Sequence, residues 1–119
     1  MTIEDILSIC KKFPSVTKDI KWEDHLCLSV GEKMFIITSP DTVPVTASFK
    51  VSLESFEILS EREGFKPSPY LARYHWMYVD DINRLTKKEW EFYLKQAYFL
   101  IASRLSAKKQ KQLNIHLEI

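Results

Sequence analysis

Glycine is nearly absent: Gly31 and Gly64 are the only two in 119 residues. That excludes the glycine-rich phosphate loops of nucleotide-binding folds, which need several glycines where the backbone approaches phosphate. Cysteine is equally scarce. Cys10 and Cys27 form no CxxC pair, so both read as reduced structural thiols rather than as a disulfide framework or zinc ligands. No apolar run approaches the roughly 20 residues of a membrane span. The start, MTIEDILSIC, lacks the basic beginning and long apolar core of a signal peptide, so a cytoplasmic protein without membrane contact is expected. A surplus of one charge is missing too. The net charge of +1 lies far from the basic excess of obligate nucleic-acid binders.

What is present is an ordinary globular mixture. Hydrophobic residues make up 45% and charged residues 28%, enough for one core without cross-links. The whole chain, 1–119, reads as a single domain.

Thr2 and Asp5 open a first helix with a capping box, carried by Ile3, Ile6, Leu7 and Cys10 and ended by Pro14. Ile20 to Val30 reads as a strand, joined through Gly31-Glu32 to a second strand over Lys33–Thr38. Val43, Val45, Ala47, Phe49 and Val51 alternate with Pro44, Thr46, Ser48 and Lys50. This is the cleanest strand pattern in the chain and belongs inside a sheet, with one apolar and one wet face. Ser52 caps a helix from Leu53 to about Glu63, stopped by Gly64. Phe65 to Arg73 reads as a loop and Tyr74 to Val79 as a strand. Thr86 and Glu89 cap a last helix with a broad apolar face through Trp90, Leu94, Ala97 and Ile101, fraying among the lysines after Ala107. The order α-β-β-β-α-β-α predicts an α+β fold: a twisted, mainly antiparallel sheet with helices packed on one face.

No catalytic constellation emerges. His25, His75 and His116 show no metal-ligand spacing. Cys27 and His25 are period-2 neighbours on a strand, a routine pattern. Neither a cofactor nor a small-molecule ligand is indicated, and no enzyme is expected. Tyr74, Trp76 and Tyr78 alternate with Arg73, His75 and Met77. The aromatic row is assigned to the core beneath the last helix, near Trp90, with Trp76 and Trp90 structural. The Arg73 and His75 face, joined by Lys50, is then the exposed one. The alternative for such a row beside cations is base stacking, as in single-strand binders. Phe92 and Phe99 lie opposite the main apolar face of the last helix. A second helix of the same domain, a protein partner or a homodimer contact would account for them.

The stretch PSPYLARYHWMYV, with FKVSLESFEIL before it, resembles the MmcQ/YjbR family of small bacterial proteins. TIEDILSICKKFPSVT, VGEKMFIIT and QAYFLIASRL extend the resemblance over nearly the whole chain. It implies a CyaY-like fold related to double-wing DNA-binding domains, and a role in DNA binding. Lys50, His75 and Trp76 match the family by position, and Arg73 stands where many members have lysine. Ser68-Pro69-Tyr70 replaces the usual Gly-Tyr-His, and Ala97 a frequent serine. If DNA is the partner, Lys50, Arg73, His75, Lys108, Lys109 and Lys111 are the candidate contacts. They would meet phosphates rather than base edges. A protein-interaction or dimerisation module is the alternative function.

Overall fold

The computed structural model describes residues 1–69 and 71–116. It is an α+β structure: a six-stranded antiparallel sheet with four helices against it. Helix α1 (Ile3–Cys10) begins with the capping box expected of Thr2 and Asp5. The Asp5 carboxyl accepts from the Thr2 amide at 2.8 Å, and these bonds to Thr2 lower its pKa. Strands β1 (Val16–Lys21), β2 (His25–Val30), β3 (Lys33–Ser39) and β4 (Thr46–Lys50) follow, then α2 (Leu53–Ser60), β5 (Phe65–Pro67), β6 (Trp76–Val79), α3 (Lys87–Ala102) and α4 (Ala107–Gln112). The spatial order is β1-β2-β3-β4-β6-β5. β4 is therefore interior, held between β3 and β6, as its alternation requires. The strand starts at Thr46 rather than at Val43, which is 98% exposed, so Pro44 falls before it and removes no ladder bond.

Three further elements differ from the sequence reading. Ile20 to Val30 is not one strand, because Trp22 and Glu23 take left-handed φ values of 51° and 71° and turn the chain. The missed strand β1 is mostly exposed, so it carries no burial alternation. Phe65–Pro67 is a short edge strand rather than loop, and the edge is where a sheet tolerates proline. The lysines after Ala107 form the separate helix α4, because Ser106 accepts from the Lys109 amide at 3.1 Å and restarts the helix.

Gly31 shows why a glycine is needed in the β2–β3 turn. It and Glu32 both have positive φ, 56° and 69°, as a type I′ hairpin turn demands. A side chain on Gly31 would also run into Leu105. Gly64, with φ 87°, lies under the Arg84 side chain that pairs with Asp80, so a Cβ there would push Arg84 aside.

The core lies between the sheet and the helices. Phe49 and Met77 face each other across β4 and β6, as do Ala47 and Val79, and all four are buried beneath the helices. Trp90 packs on Phe49 with ring centroids 5.1 Å apart and donates its Nε1–H to the Ile82 carbonyl at 2.7 Å. Trp76 is buried, 5% exposed, but not beside Trp90. By alternation with Met77 it lies on the sheet face turned away from α3. The expected faces of this strand are thus inverted. Both faces are apolar, so alternation alone could not say which one the helix covers; the β4 register decides it. Arg73 and His75 do not continue the Met77 face either. A 3-10 turn over Ala72–Tyr74 precedes the strand, and His75 has φ 60°.

Phe92 and Phe99 are not covered by a helix of this domain. They are 59% and 37% exposed. Tyr70, within the proline segment, lies outside the described residues.

Candidate nucleic-acid interface

Strand register determines which loops share an end of the sheet. Val16 faces Val30, Val30 faces Lys33, and Lys50 faces Trp76. The start of β1, the β2–β3 turn, the end of β4 and the start of β6 therefore sit together. Helix α3 runs toward the same end. It starts near Ile82, which Trp90 bonds, and the chain beyond it places Leu105 against Gly31. Arg104 and α4 follow there. Gln110 ties α4 down by donating to the Ala102 and Leu105 carbonyls at 3.2 and 2.9 Å, and Ser15 donates to the Leu113 carbonyl at 2.7 Å.

The result is a segregation of charge that a net value of +1 conceals. Lys33, Arg73, Arg104, Lys108, Lys109 and Lys111 belong to this one end. The other end carries Glu23 and Asp24 in the β1–β2 turn, Asp41 in the β3–β4 loop, Glu63 before β5, and Asp80 and Asp81 after β6. The arginine–carboxylate pairs among the described residues also lie there: Arg84 to Asp80 at 2.5 Å and Arg62 to Glu89 at 2.7 Å. Glu89 is held below its ordinary pKa, first by its bond from the Thr86 amide and then by Arg62. No carboxylate pairs with the cations of the first end among the described residues.

The individual candidates do different things. Arg73 is exposed. Its guanidinium lies 4.8 Å from the Tyr74 ring centroid and donates to the Tyr74 hydroxyl at 2.7 Å. The planar group is held on an aromatic, which restricts it and leaves charge facing water. His75 is half-buried edge-on to Phe56, ring centroids 5.4 Å apart, and its carbonyl accepts from the Val51 amide at 3.0 Å. It anchors the turn that carries Arg73. Lys108, Lys109 and Lys111 belong to α4, and Lys109 and Lys111 fall in its last turn, where positive charge suits the helix C-terminus.

Lys50 is withdrawn from solvent. It is 4% exposed, and its Nζ donates to the Tyr74 carbonyl. Burial, then the charge of Arg104, lowers its pKa below the ordinary 10.5. The lysine ties the end of β4 to the Arg73 turn. A base with a depressed folded pKa is penalised wherever it is charged in both states. That penalty fades as pH rises through the folded pKa, because the unfolded chain then binds more protons. The stability of the wild type relative to Lys50→Met is therefore expected to be flat near neutral pH and to climb toward pH 10.5. Urea denaturation of both proteins across that range checks it. A difference that stays flat up to that pH would contradict the buried charge.

Sequence reasoning missed Arg104 and Lys33. A signal existed for both. Lys33 directly follows the turn pair Gly31-Glu32, and Arg104 stands a turn ahead of the α4 lysines. Cys27 and His25 form no reactive pair. The thiol is fully buried, approaches only the His25 carbonyl at 3.9 Å, and is shifted upward in pKa by burial. Burial pushes Cys10 up to about 12.

The YjbR family model matches residues 11–100, the span from the end of α1 through most of α3. The chain belongs to the YjbR family. A Deinococcus radiodurans protein with a DUF419 domain superimposes with a TM-score of 0.88 at 22% identity, over 99% of this chain and 91% of that one. A Pseudomonas syringae protein superimposes with a TM-score of 0.68 at 18% identity, over 85% of this chain and 99% of that one. Both are similarities of fold. No curated protein matches the chain. Among the described residues, no helix is long and apolar enough to cross a membrane.

Proposed function

We propose that this YjbR-family protein is a non-enzymatic nucleic-acid-binding domain that holds duplex DNA by its phosphates. The observation that carries the reading is the collection of Lys33, Arg73, Arg104 and the α4 lysines at one end of the sheet, where Glu32 also lies, with Glu23, Asp24, Asp41, Glu63, Asp80 and Asp81 at the other. A dipolar molecule presents its basic pole to a polyanion even when its net charge is small. The cations at that end come from a hairpin, a turn, the chain after α3 and the six-residue helix α4 rather than from one long recognition helix, so contact is expected mainly with the backbone, which carries no sequence information directly. Lys50 and His75 act beneath the surface by shaping the turn under Arg73.

The test is a salt titration of the wild-type protein with a fluorescent duplex, read by anisotropy. Binding is expected at low ionic strength and is expected to be the same for unrelated sequences. Log affinity falls with log salt by about 0.9 for each phosphate neutralised. Absence of binding at low salt, or tight binding that ignores salt, contradicts the reading.

A second reading is favoured by a separate surface. Phe92 and Phe99 are exposed one turn either side of Lys95 and Gln96 on α3. Gln96 joins α3 to α2 by accepting from the Ser52 amide at 3.0 Å. A second copy laid antiparallel along α3 would place Phe92 of each chain against Phe99 of the other. It would also set basic pole against acidic pole. Phe92→Glu is expected to abolish any dimer seen in sedimentation velocity, with stability changed by no more than about 0.5 kcal/mol as at other exposed sites.

A further inference from the structure

The face of the sheet without helices is not flat. On one side stand Ser68 and Pro69, just past the end of β5, and Leu71. On the other stands the β1–β2 turn with Trp22. Between them lies a groove of about 530 Å³, floored by Ile37 and Ser48 and bordered by Tyr78 and His25. That volume falls in the range of small-molecule sites, which are mostly apolar with a few placed polar groups.

Three features point to a ligand rather than to an ordinary wet sheet face. Trp22 is 61% exposed at the groove's edge and sits at φ 51°, followed by Glu23 at 71°. A bulky residue rarely adopts that conformation, and such outliers collect at binding sites. In the floor, Ser68 is buried and donates to the Ser48 hydroxyl at 2.9 Å. That leaves one hydroxyl hydrogen on Ser48 to give and lone pairs on Ser68 to accept, an adjacent donor and acceptor. His25 stands edge-on to Trp22, ring centroids 5.9 Å apart. Its Nδ1 is shielded from solvent and lies 2.8 Å from Asp24 Oδ1, yet completes no well-angled hydrogen bond.

We propose that this groove binds a neutral, planar bicyclic heteroaromatic molecule of the purine kind, stacked on Trp22 and hydrogen-bonded to the Ser48–Ser68 pair. The span from His25 on β2 to Tyr78 on β6 is three strand spacings, about 14 Å, room for a fused ring lying across the floor. Glu23 and Asp24, between Trp22 and His25 in the chain, put carboxylates beside the stacking border, which disfavours a phosphate there, while Lys66 lies over the Tyr78 ring at the opposite border, 5.1 Å from its centroid. The groove and the cationic end are different surfaces, so this inference stands apart from the phosphate-binding reading.

The probe is adenine, which has no phosphate, followed by saturation-transfer NMR and by quenching of tryptophan fluorescence. Trp90 lies beneath the helices and Trp76 is buried, so a quench that is lost in Trp22→Ala reports on Trp22. Saturable binding is expected at millimolar adenine or below. Trp22→Ala, at an exposed position, is expected to weaken the NMR-detected affinity by about tenfold or more, the scale of one stacking contact. Ser48→Ala is expected to weaken it by about tenfold, the scale of one hydrogen bond. Alanine at Lys108, Lys109 and Lys111 should leave it unchanged. Cyclohexanol, apolar but not planar, should not compete. No saturation, or equal affinity in Trp22→Ala, overturns the proposal. Tighter binding of adenosine monophosphate than of adenine would also overturn it, by moving recognition to phosphate.

Discussion

Trp90→Ala is expected to cost about 3–5 kcal/mol, the range for deleting a large aromatic from a packed core. The residue is fully buried. It lies against Phe49 in the central strand β4 and bonds the Ile82 carbonyl at 2.7 Å. The truncation leaves both a cavity and a buried acceptor without its donor, and the second alone costs about 1–3 kcal/mol. Domains of this size have only about 5–15 kcal/mol in total, so the variant sits near the edge of folding. Urea denaturation gives the value directly. Trp90→Phe fills most of the space and should lose mainly the hydrogen bond. A loss below about 1 kcal/mol for the alanine variant would mean that Trp90 does not hold α3 to the sheet.

Removing the cationic end is expected to have the larger effect on binding. Alanine at Arg104, Lys108, Lys109 and Lys111 together should reduce the salt slope by about 0.9 for each side chain that neutralises a phosphate, up to about 3.6 if all four do. Affinity at low salt should fall by orders of magnitude. Alanine at Lys87 and Lys88, two lysines at the start of α3 and so toward the acidic end, is the control, compared charge for charge, and should change little. Lys50→Met should also leave the slope unchanged, because its ammonium group bonds the Tyr74 carbonyl instead of facing solvent. The same loss per charge removed in the cluster and in the control would show that only total charge matters.

The elements were legible wherever local chemistry was strong. Thr2 with Asp5 and Thr86 with Glu89 fix helix starts by capping boxes, and both are present. Gly31-Glu32 announces the hairpin, and the alternation from Val43 to Val51 announces an interior strand. β1 was not legible, because an exposed edge strand has no apolar period and its turn uses Trp22 and Glu23 in place of glycine or asparagine. The placement of Trp76 was not legible for the opposite reason: a strand buried on both faces alternates between two equally apolar sets.

The candidate site was legible in its parts and not in its arrangement. Arg73 and the three lysines stand out in the sequence, but Lys50 looks equally free until the turn over Ala72–Tyr74 closes upon it. The joining of α4, Arg104, Lys33 and Arg73 at one end depends on the antiparallel register and on the direction of α3. Neither is a local property of the chain. Composition was misleading here, since a net charge is silent about where the charges go.

Amide chemical-shift mapping with an unlabelled duplex at low salt tests the central claim most directly. Perturbed amides are expected at Lys33, Arg73, Arg104 and along Ala107–Gln112, with no comparable shifts in the turn at Glu23 and Asp24 or around Asp80 and Asp81. Shifts centred on Trp22 and Tyr78, or on Phe92 and Phe99, or no shifts at all, would contradict phosphate binding at the cationic end.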